Sequence, residues 1–301
     1  MKIELDLKSD NSEYVHYDSA DFPVYVRKNI LSYYPNYAAS SHYHDDIEFI
    51  YILSGHMQYN INGQTVMLET GNGLFVNSRQ LHYGYSDDKT ECEFICILLH
   101  PLLLCATDSI QQSFIIPVIN SSYAYIELFK DIDWQNDILS ALYDMYLNKG
   151  SYAYILTVQS LFYKIWSILF DHILINNINV NKPSYDSHHL TALKKMIGYI
   201  QTHYNEKITL DDICTIGNVC KSSCCKIFQS YLHQTPMSYL TDYRLNRSIE
   251  LLQTTSMNIT EICLTVGFSG ASYFTETFRK YFSCSPTEYR KMVKNTAGIS
   301  I

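Results

Sequence analysis

The residues best suited to chemistry lie in His42-Tyr43-His44-Asp45-Asp46-Ile47-Glu48, with His82 thirty-four residues beyond Glu48. Side chains alternate along an extended segment, so positions 42, 44 and 48 share parity and face one side. Imidazole and carboxylate ligands together suit a divalent transition ion such as Mn, Fe, Ni or Zn. The same residues can instead hydrogen-bond to one another, or to a small ligand, without an ion. Arg79 is either an anion partner for such a ligand or a charge on the rim of the site.

Short strands must position this group. Ile47 to Leu53 is a β-branched and aromatic run that ends at Gly55. Met57, Tyr59 and Ile61 alternate with Gln58 and Asn60, the period of a half-buried strand. Asn62-Gly63 signals a type I′ hairpin turn, which needs two residues with positive φ. Val66 and Leu68 form the return strand, Gly71 and Gly73 mark the next turn, and Leu74–Val76 and Glu93–Leu99 follow. Many short strands with no long helix between them predict a small sandwich or barrel. The region also carries Tyr33, Tyr43, Tyr51, Tyr59, Tyr83 and Tyr85. Tyrosines with polar tips in an apolar cavity suit sugars and other polyhydroxylated ligands.

The period changes after residue 130. Ile138, Leu142, Met145 and Tyr146 fall at helical spacing, as do Ile155, Val158, Leu161, Phe162, Ile165, Ile168 and Leu169. The second stripe is wide enough to need a partner surface, either the barrel wall or the same helix of a second copy. A polar stretch with one Pro and no periodicity reads as a linker at 177–189. The domains expected are therefore a ligand-sensing barrel at 1–130, a dimerising helical hairpin at 131–176, the linker, and an all-helical domain at 190–301.

At 301 residues the chain is long enough for two domains, and 47% apolar against 17% charged residues supports real cores. The net charge of −8 excludes a protein that is basic all over. It is unevenly divided. Residues 1–185 carry 10 Lys and Arg against 21 Asp and Glu, a balance of −11, and residues 186–301 carry 12 against 9, a balance of +3. The nine cysteines include no C-x-x-C pair and no usual zinc spacing, so they read as thiols in a reducing compartment. The N-terminus lacks an apolar signal region, and the stretch Ile95–Ala106 is too short to span a bilayer and is interrupted by His100 and Pro101. A cytoplasmic protein with no membrane association is expected.

The last hundred residues contain an internal repeat. Phe228-Gln-Ser-Tyr231 through Pro236-Met-Ser-Tyr239 lies fifty residues ahead of Phe278-Arg-Lys-Tyr281 through Pro286-Thr-Glu-Tyr289. Slightly upstream the offset is forty-nine, with Leu210, Ile213, Cys214, Asn218 and Val219 opposite Ile259, Ile262, Cys263, Gly267 and Phe268. Each copy reads as a helix-turn-helix. A short first helix carries a small residue, Cys214 or Cys263, for close approach of a second. Asn218 or Gly267 then tolerates a left-handed turn. The second helix turns Cys224, Ile227, Phe228 and Tyr231 inward in one copy, and Phe274, Phe278 and Tyr281 in the other. Between the copies Pro236 opens a helix to about Gln253, burying Tyr239, Leu240, Tyr243, Leu251 and Leu252.

This domain resembles the DNA-binding domain of AraC/XylS-type transcription regulators. The most diagnostic stretch runs from Ile262 through Gly267-Phe268 and Tyr273-Phe274 to Phe278-Arg279-Lys280, ending in Ser285-Pro286-Thr-Glu-Tyr289-Arg290. The resemblance implies that both second helices enter successive major-groove segments of double-stranded DNA. Base contacts would come from Ser222, Cys225 and Lys226 in the first copy, and from Ala271, Ser272, Tyr273 and Glu276 in the second. Phosphate contacts would come from Lys221, Arg244, Arg247, Arg279, Lys280, Arg290 and Lys291. Here the chain departs from the family: only Lys226 is a strong purine-edge donor among the base-facing positions, and Cys220 replaces the usual Ser as N-cap of the first recognition helix.

The front half resembles the cupin barrel, as many AraC-type sensor domains do, and His42, His44, Glu48 and His82 match all four ligands of metal-dependent cupins. Asn77 and Arg79 stand where a Pro and a Gly are usual. The reading is a homodimeric, non-enzymatic regulator, more often an activator in this family and then working with RNA polymerase. An all-β cupin-like barrel with a helical hairpin senses a small molecule, and an all-α domain of two helix-turn-helix units binds DNA. No cofactor is required, and a divalent metal in the barrel is the variant. The alternative is a metal-dependent cupin enzyme with an accessory DNA-binding tail.

Overall fold

The computed structural model describes residues 12–19, 21–121, 123–176 and 187–297. The chain divides into two compact units, one ending at Tyr185 and the other beginning at Asp186.

The first unit is an antiparallel barrel-like sheet of seven strands: β1 (Val24–Ile30), β2 (Ile47–Ile61), β3 (Gln64–Glu69), β4 (Gly73–Val76), β5 (His82–Tyr85), β6 (Cys92–Leu99) and β7 (Tyr125–Leu128). The two strands expected at 47–53 and 57–61 are one, β2, fifteen residues long. Its first half pairs with β6 and β4, its second half with β3 and β5, in the order β1-β6-β2-β4-β7 for the larger sheet. The strand turns from one sheet to the other at Gly55, where φ is +76° and a Cβ would lie 2.0 Å from the Glu91 carbonyl oxygen. A slip in register between Ile52 and Ser54 accompanies the turn. Asn62 (φ 50°) and Gly63 (φ 88°) then make the expected positive-φ hairpin turn.

Alternation along β2 sorts its two faces. Ile50 and Ile52 point into the barrel with Leu31, Met57, Tyr59, Ile61, Leu74 and Val76. Ile47 and Phe49 point outward with Phe75, Ile95 and Ile97, and are covered by helices. Two very short turns, α1 (Asp108–Ile110) and α2 (Ile116–Ile119), precede the hairpin of α3 (Asp133–Leu147) and α4 (Tyr154–Asn176). Ile138, Leu142 and Met145 of α3, with Val158, Phe162, Ile165 and Leu169 of α4, share one core with that outer sheet face. The barrel wall is therefore a partner for the wide apolar stripe.

The second unit is all-helical: α5 (Ser187–His203), α6 (Leu210–Gly217), α7 (Lys221–Leu232), α8 (Pro236–Thr254), α9 (Ile259–Thr265), α10 (Ala271–Phe282) and α11 (Pro286–Ala297). Helix α5 begins at Ser187, so the end of the expected linker is helical; residues 177–186 of that linker lie outside the described residues. The two repeats are built alike from the same local signals. Thr209 and Asn258 each open a first helix with a reciprocal capping box to Asp212 and Glu261. Asn218 (φ 51°) and Gly267 (φ 86°) make the left-handed turns. His233 (φ 56°) and Ser283 (φ 60°) close the second helices in the same conformation, again fifty residues apart.

Candidate functional site

Two places in the molecule gather polar chemistry. In the helical unit, the inward residues Cys224, Ile227, Phe228 and Tyr231 of α7 and Phe274 and Phe278 of α10 are buried, and Tyr281 is half-buried. That leaves opposite faces open. On α7 the exposed stripe is Ser222, Lys226 and Gln229, with Cys225 half-buried beside it. On α10 it is Ser272, Tyr273, Glu276 and Arg279, with Ala271 and Thr275 half-buried. Ala271, Ser272, Thr275, Glu276 and Arg279 line one shallow depression. Gln229 and Thr275 were not among the expected contacts, although spacings of three and four residues from Ser222, Lys226 and Ser272 mark them on the same faces. Arg279, expected at phosphate, shares the stripe of Ser272 and Glu276.

The other expected phosphate ligands divide by environment. Lys280 and Lys291 are exposed, and Lys221 is exposed with its ammonium 2.8 Å from Asp211. Arg244 is engaged within the fold. Its Nε donates to Tyr204 O and its Nη2 to Glu206 O, both at 2.7 Å. Arg290 likewise donates to Leu252 O (3.3 Å) and Met257 O (2.6 Å), holding α11 against the turn before α9. Arg247 pairs with Glu250 at 3.4 Å and packs its guanidinium over the Tyr204 ring. A structural role accounts for all three arginines. Cys220 gives α7 no side-chain cap. Hydrogen bonds from the Ser222 and Ser223 side chains instead hold its thiol down at about 6.

The second place is inside the barrel. His42, His44, Glu48 and His82 come together with ligand atoms all within 4.8 Å of one another. They do not do so on one extended strand: β2 starts only at Ile47, and residues 45–46 form a bend. Convergence comes instead from a bridge between His42 and His82, whose main chains exchange two hydrogen bonds (2.9 and 3.1 Å). His44, Glu48 and His82 are buried and His42 is half-buried. Glu48 is the hub. Its Oε2 lies 2.5 Å from His82 Nε2 and 3.3 Å from His44 Nε2, and its Oε1 accepts from Tyr59 Oη at 2.7 Å. Cys96 Sγ approaches Oε1 at 3.8 Å. Glu13 reaches His42 Nε2 at 3.5 Å.

The electrostatics follow from burial and proximity. Burial by itself would raise the Glu48 carboxyl, but the His82 and His44 imidazoles outweigh it and hold it well below the carboxylate range. Burial, then the neighbouring imidazoles His82 and His44, push His42 down to about 3. Burial also opposes a charge on His44, but its bond to Glu48 and the nearby carboxylates raise it to about 9. Burial lifts Glu13 to about 7.

Around the cluster, Arg79 is a rim charge, 3.1 Å from Asp45 and half in solvent. Its φ of 61° and the bond from its N–H to His44 O (2.7 Å) explain why a glycine suits this position. Asn77 is buried and donates to Val118 O, Ile119 O and Tyr123 O, a role proline lacks. Of the six tyrosines, Tyr59 meets the cluster and belongs to the interior, whereas Tyr33 is exposed and Tyr51 packs at a tilt against Tyr143 of α3. Tyr34 and Tyr37, which sequence spacing did not single out, also pack against the interior.

Residues 213–292 match the helix-turn-helix domain family, and residues 30–134 match the AraC-like ligand binding domain family. The chain is 28% identical over 283 residues to YdeC of Bacillus subtilis, an uncharacterised HTH-type transcriptional regulator, covering 93% of this chain and 96% of that protein. The chain belongs to the AraC family of transcription regulators. This AraC-family chain is also 26% identical over 279 residues to the melibiose operon regulatory protein of Escherichia coli, covering 90% of each. It is 25% identical, again over 279 residues, to the transcriptional activator RhaR of Mannheimia succiniciproducens, covering 93% of this chain and 95% of that one. The AraC-type regulator is thus a DNA-binding protein with a small-molecule-sensing domain. Among the described residues no helix is long and apolar enough to cross a membrane.

Proposed function

We propose that this AraC-type regulator acts in the cytoplasm as a homodimeric activator without enzymatic activity, reading DNA through α7 and α10 and responding to a polyhydroxylated ligand such as a sugar. One observation carries the DNA-reading part: two helices fifty residues apart, closed by the same left-handed cap, each bury one face and leave a short polar stripe open. A helix in the major groove needs such a stripe. Lys226 is its strongest purine-edge donor on α7, Arg279 on α10, and a carboxylate such as Glu276 can accept from a cytosine amino group. The melibiose operon regulator and RhaR support the sugar and activator readings by their names. An activator of this kind also contacts RNA polymerase. Ligand binding in the barrel shifts the population between states that hold the DNA-binding helices differently.

The test is selection of the full chain on a random duplex pool, followed by a salt titration. A bipartite motif with centres about one helical turn apart, weakened at one position by Lys226→Ala, is the expected result. Binding that shows no enrichment and fades with salt alone overturns sequence reading.

A further inference from the structure

The core of the first repeat holds a cluster of sulfur atoms where that of the second holds an aromatic ring. Met196 of α5, Cys214 of α6 and Cys224 of α7 are all buried. Cys224 Sγ donates to Met196 Sδ at 3.5 Å, and the Cys214 and Cys224 thiols are hydrogen-bonded to one another. Fifty residues beyond Cys224 stands Phe274, and the Cys263 thiol turns to the Phe268 carbonyl oxygen at 3.8 Å. The backbone makes room for the thioether. Gly217, the last residue of α6, has no positive φ, so its conformation does not call for glycine. A Cβ there would instead meet Met196 Sδ at 2.7 Å and Cγ at 2.8 Å. Tetrahedral metal–sulfur bonds of about 2.3 Å set their sulfurs about 3.8 Å apart, close to the separation of Cys224 and Met196. Two thiols and a thioether are soft donors, which select monovalent copper. Structural zinc takes four ligands, and among the described residues no imidazole, carboxylate or third thiol completes a cluster with Cys214 and Cys224. Burial, then the Cys214 thiol, pushes the Cys224 thiol up, so it keeps its proton until an ion displaces it.

We propose that the first helix-turn-helix binds one Cu(I) ion through Met196 Sδ, Cys214 Sγ and Cys224 Sγ. Both thiols release their protons to solvent as the ion binds, and no oxidation state changes. Two thiolates around a monovalent ion leave one negative charge. Cys224 lies in the first turn of α7, where Cys220 supplies no side-chain cap, and the positive end of the helix dipole offsets that charge. The ion ties α5, α6 and α7 together, so it stabilises the helical unit by binding its folded state. The site is independent of the barrel cluster and of whether α7 reads DNA.

The test uses the tag-free full chain, reduced and kept free of oxygen, titrated with Cu(I) against a chromophoric Cu(I) chelator. One equivalent per chain is expected to leave the chelator, with sulfur as its ligand atoms in X-ray absorption. Cys214→Ala and Cys224→Ala lose this equivalent. Met196→Leu, which keeps the side-chain volume, weakens it by at least about 10-fold, a loss that even the outer partners of a metal carry. Cys220→Ser, at the exposed thiol of α7, and Cys263→Ala, at the matching position of the second repeat, retain it. The circular dichroism melt of the parent shifts upward with Cu(I), and that of Cys224→Ala does not. Where the cysteine variants do not fold, Met196→Leu carries the test. A reduced, folded parent that withdraws no copper overturns the proposal, as does copper bound through nitrogen or an equivalent that survives Met196→Leu at unchanged affinity.

Discussion

Replacing Gly267 with alanine tests the turn that orients α10. Gly267 sits at φ 86°, and a Cβ built there would meet Tyr204 O at 2.4 Å and the Arg244 guanidinium at 3.0 Å. The backbone conformation costs an L-residue about 1–2 kcal/mol. Relief of the clash must displace a carbonyl that accepts from Arg244 Nε, and a charge-assisted hydrogen bond of this kind is worth about 1.5–3 kcal/mol. Together these give about 2.5–5 kcal/mol, a large part of the stability of a small domain. Asn218, the equivalent residue in the first repeat, provides the control. At φ 51° Asn218→Ala costs about 1 kcal/mol, and Asn218→Gly is neutral or slightly stabilising. Both tryptophans, Trp134 and Trp166, lie in the barrel unit. In urea, Gly267→Ala is therefore expected to lose part of its far-ultraviolet circular dichroism early, while the tryptophan fluorescence transition keeps its parental midpoint. A Gly267→Ala protein no less stable than Asn218→Ala refutes the reasoning.

Three further perturbations follow from buried and half-buried polar groups. Burial raises the Asp242 carboxyl from 3.8 to about 6, so between these pH values the folded state holds a proton that the unfolded chain has released. Stability therefore falls as pH rises through that window, and Asp242→Asn should be more stable than the parent by about 1–2 kcal/mol at pH about 7.5 and equal to it near pH about 4, measured by urea melts. Arg290→Met removes both donors to Leu252 O and Met257 O and should cost about 1–3 kcal/mol, whereas Lys291→Met, on the exposed side of the same helix, should stay within about 0.5 kcal/mol; equal effects in thermal melts argue against the tie. Asn77→Ala strips the buried carbonyls of Val118, Ile119 and Tyr123 of a shared donor and should cost about 3 kcal/mol, with faster amide exchange across 116–128 as the readout.

What could be read from the sequence was whatever is local. Asn62-Gly63, Asn218 and Gly267 announce their turns because few residues tolerate positive φ, and the inward faces of α7 and α10 follow from spacing alone. Long-range effects were hidden. The run from Ile47 to Ile61 reads as two strands because Gly55 interrupts it, but the residue that decides its geometry is Glu91, thirty-six positions away. The four cluster residues are identifiable by type, but shared parity along one strand is not what makes them meet. A bend at 45–46 and a bridge to His82 bring them together. Arg244 and Arg290 look like phosphate ligands in a basic domain, because composition cannot tell a guanidinium in solvent from one bonded to a carbonyl forty residues away.

The two repeats also separate what holds the frame from what can vary. Capping boxes, left-handed turns and left-handed helix ends recur at offsets of forty-nine and fifty residues. Packing requires these features, so each copy must keep them. The outward stripes share no such requirement. Ser222, Lys226 and Gln229 on α7 offer donors with one positive charge, whereas Ser272, Glu276 and Arg279 on α10 pair an acceptor with a donor one turn apart. In the proposed DNA-reading role, equal scaffolds with unequal faces would favour different base edges. The asymmetry therefore resides in a few exposed side chains, and the conserved-looking geometry beneath them serves only to aim those side chains.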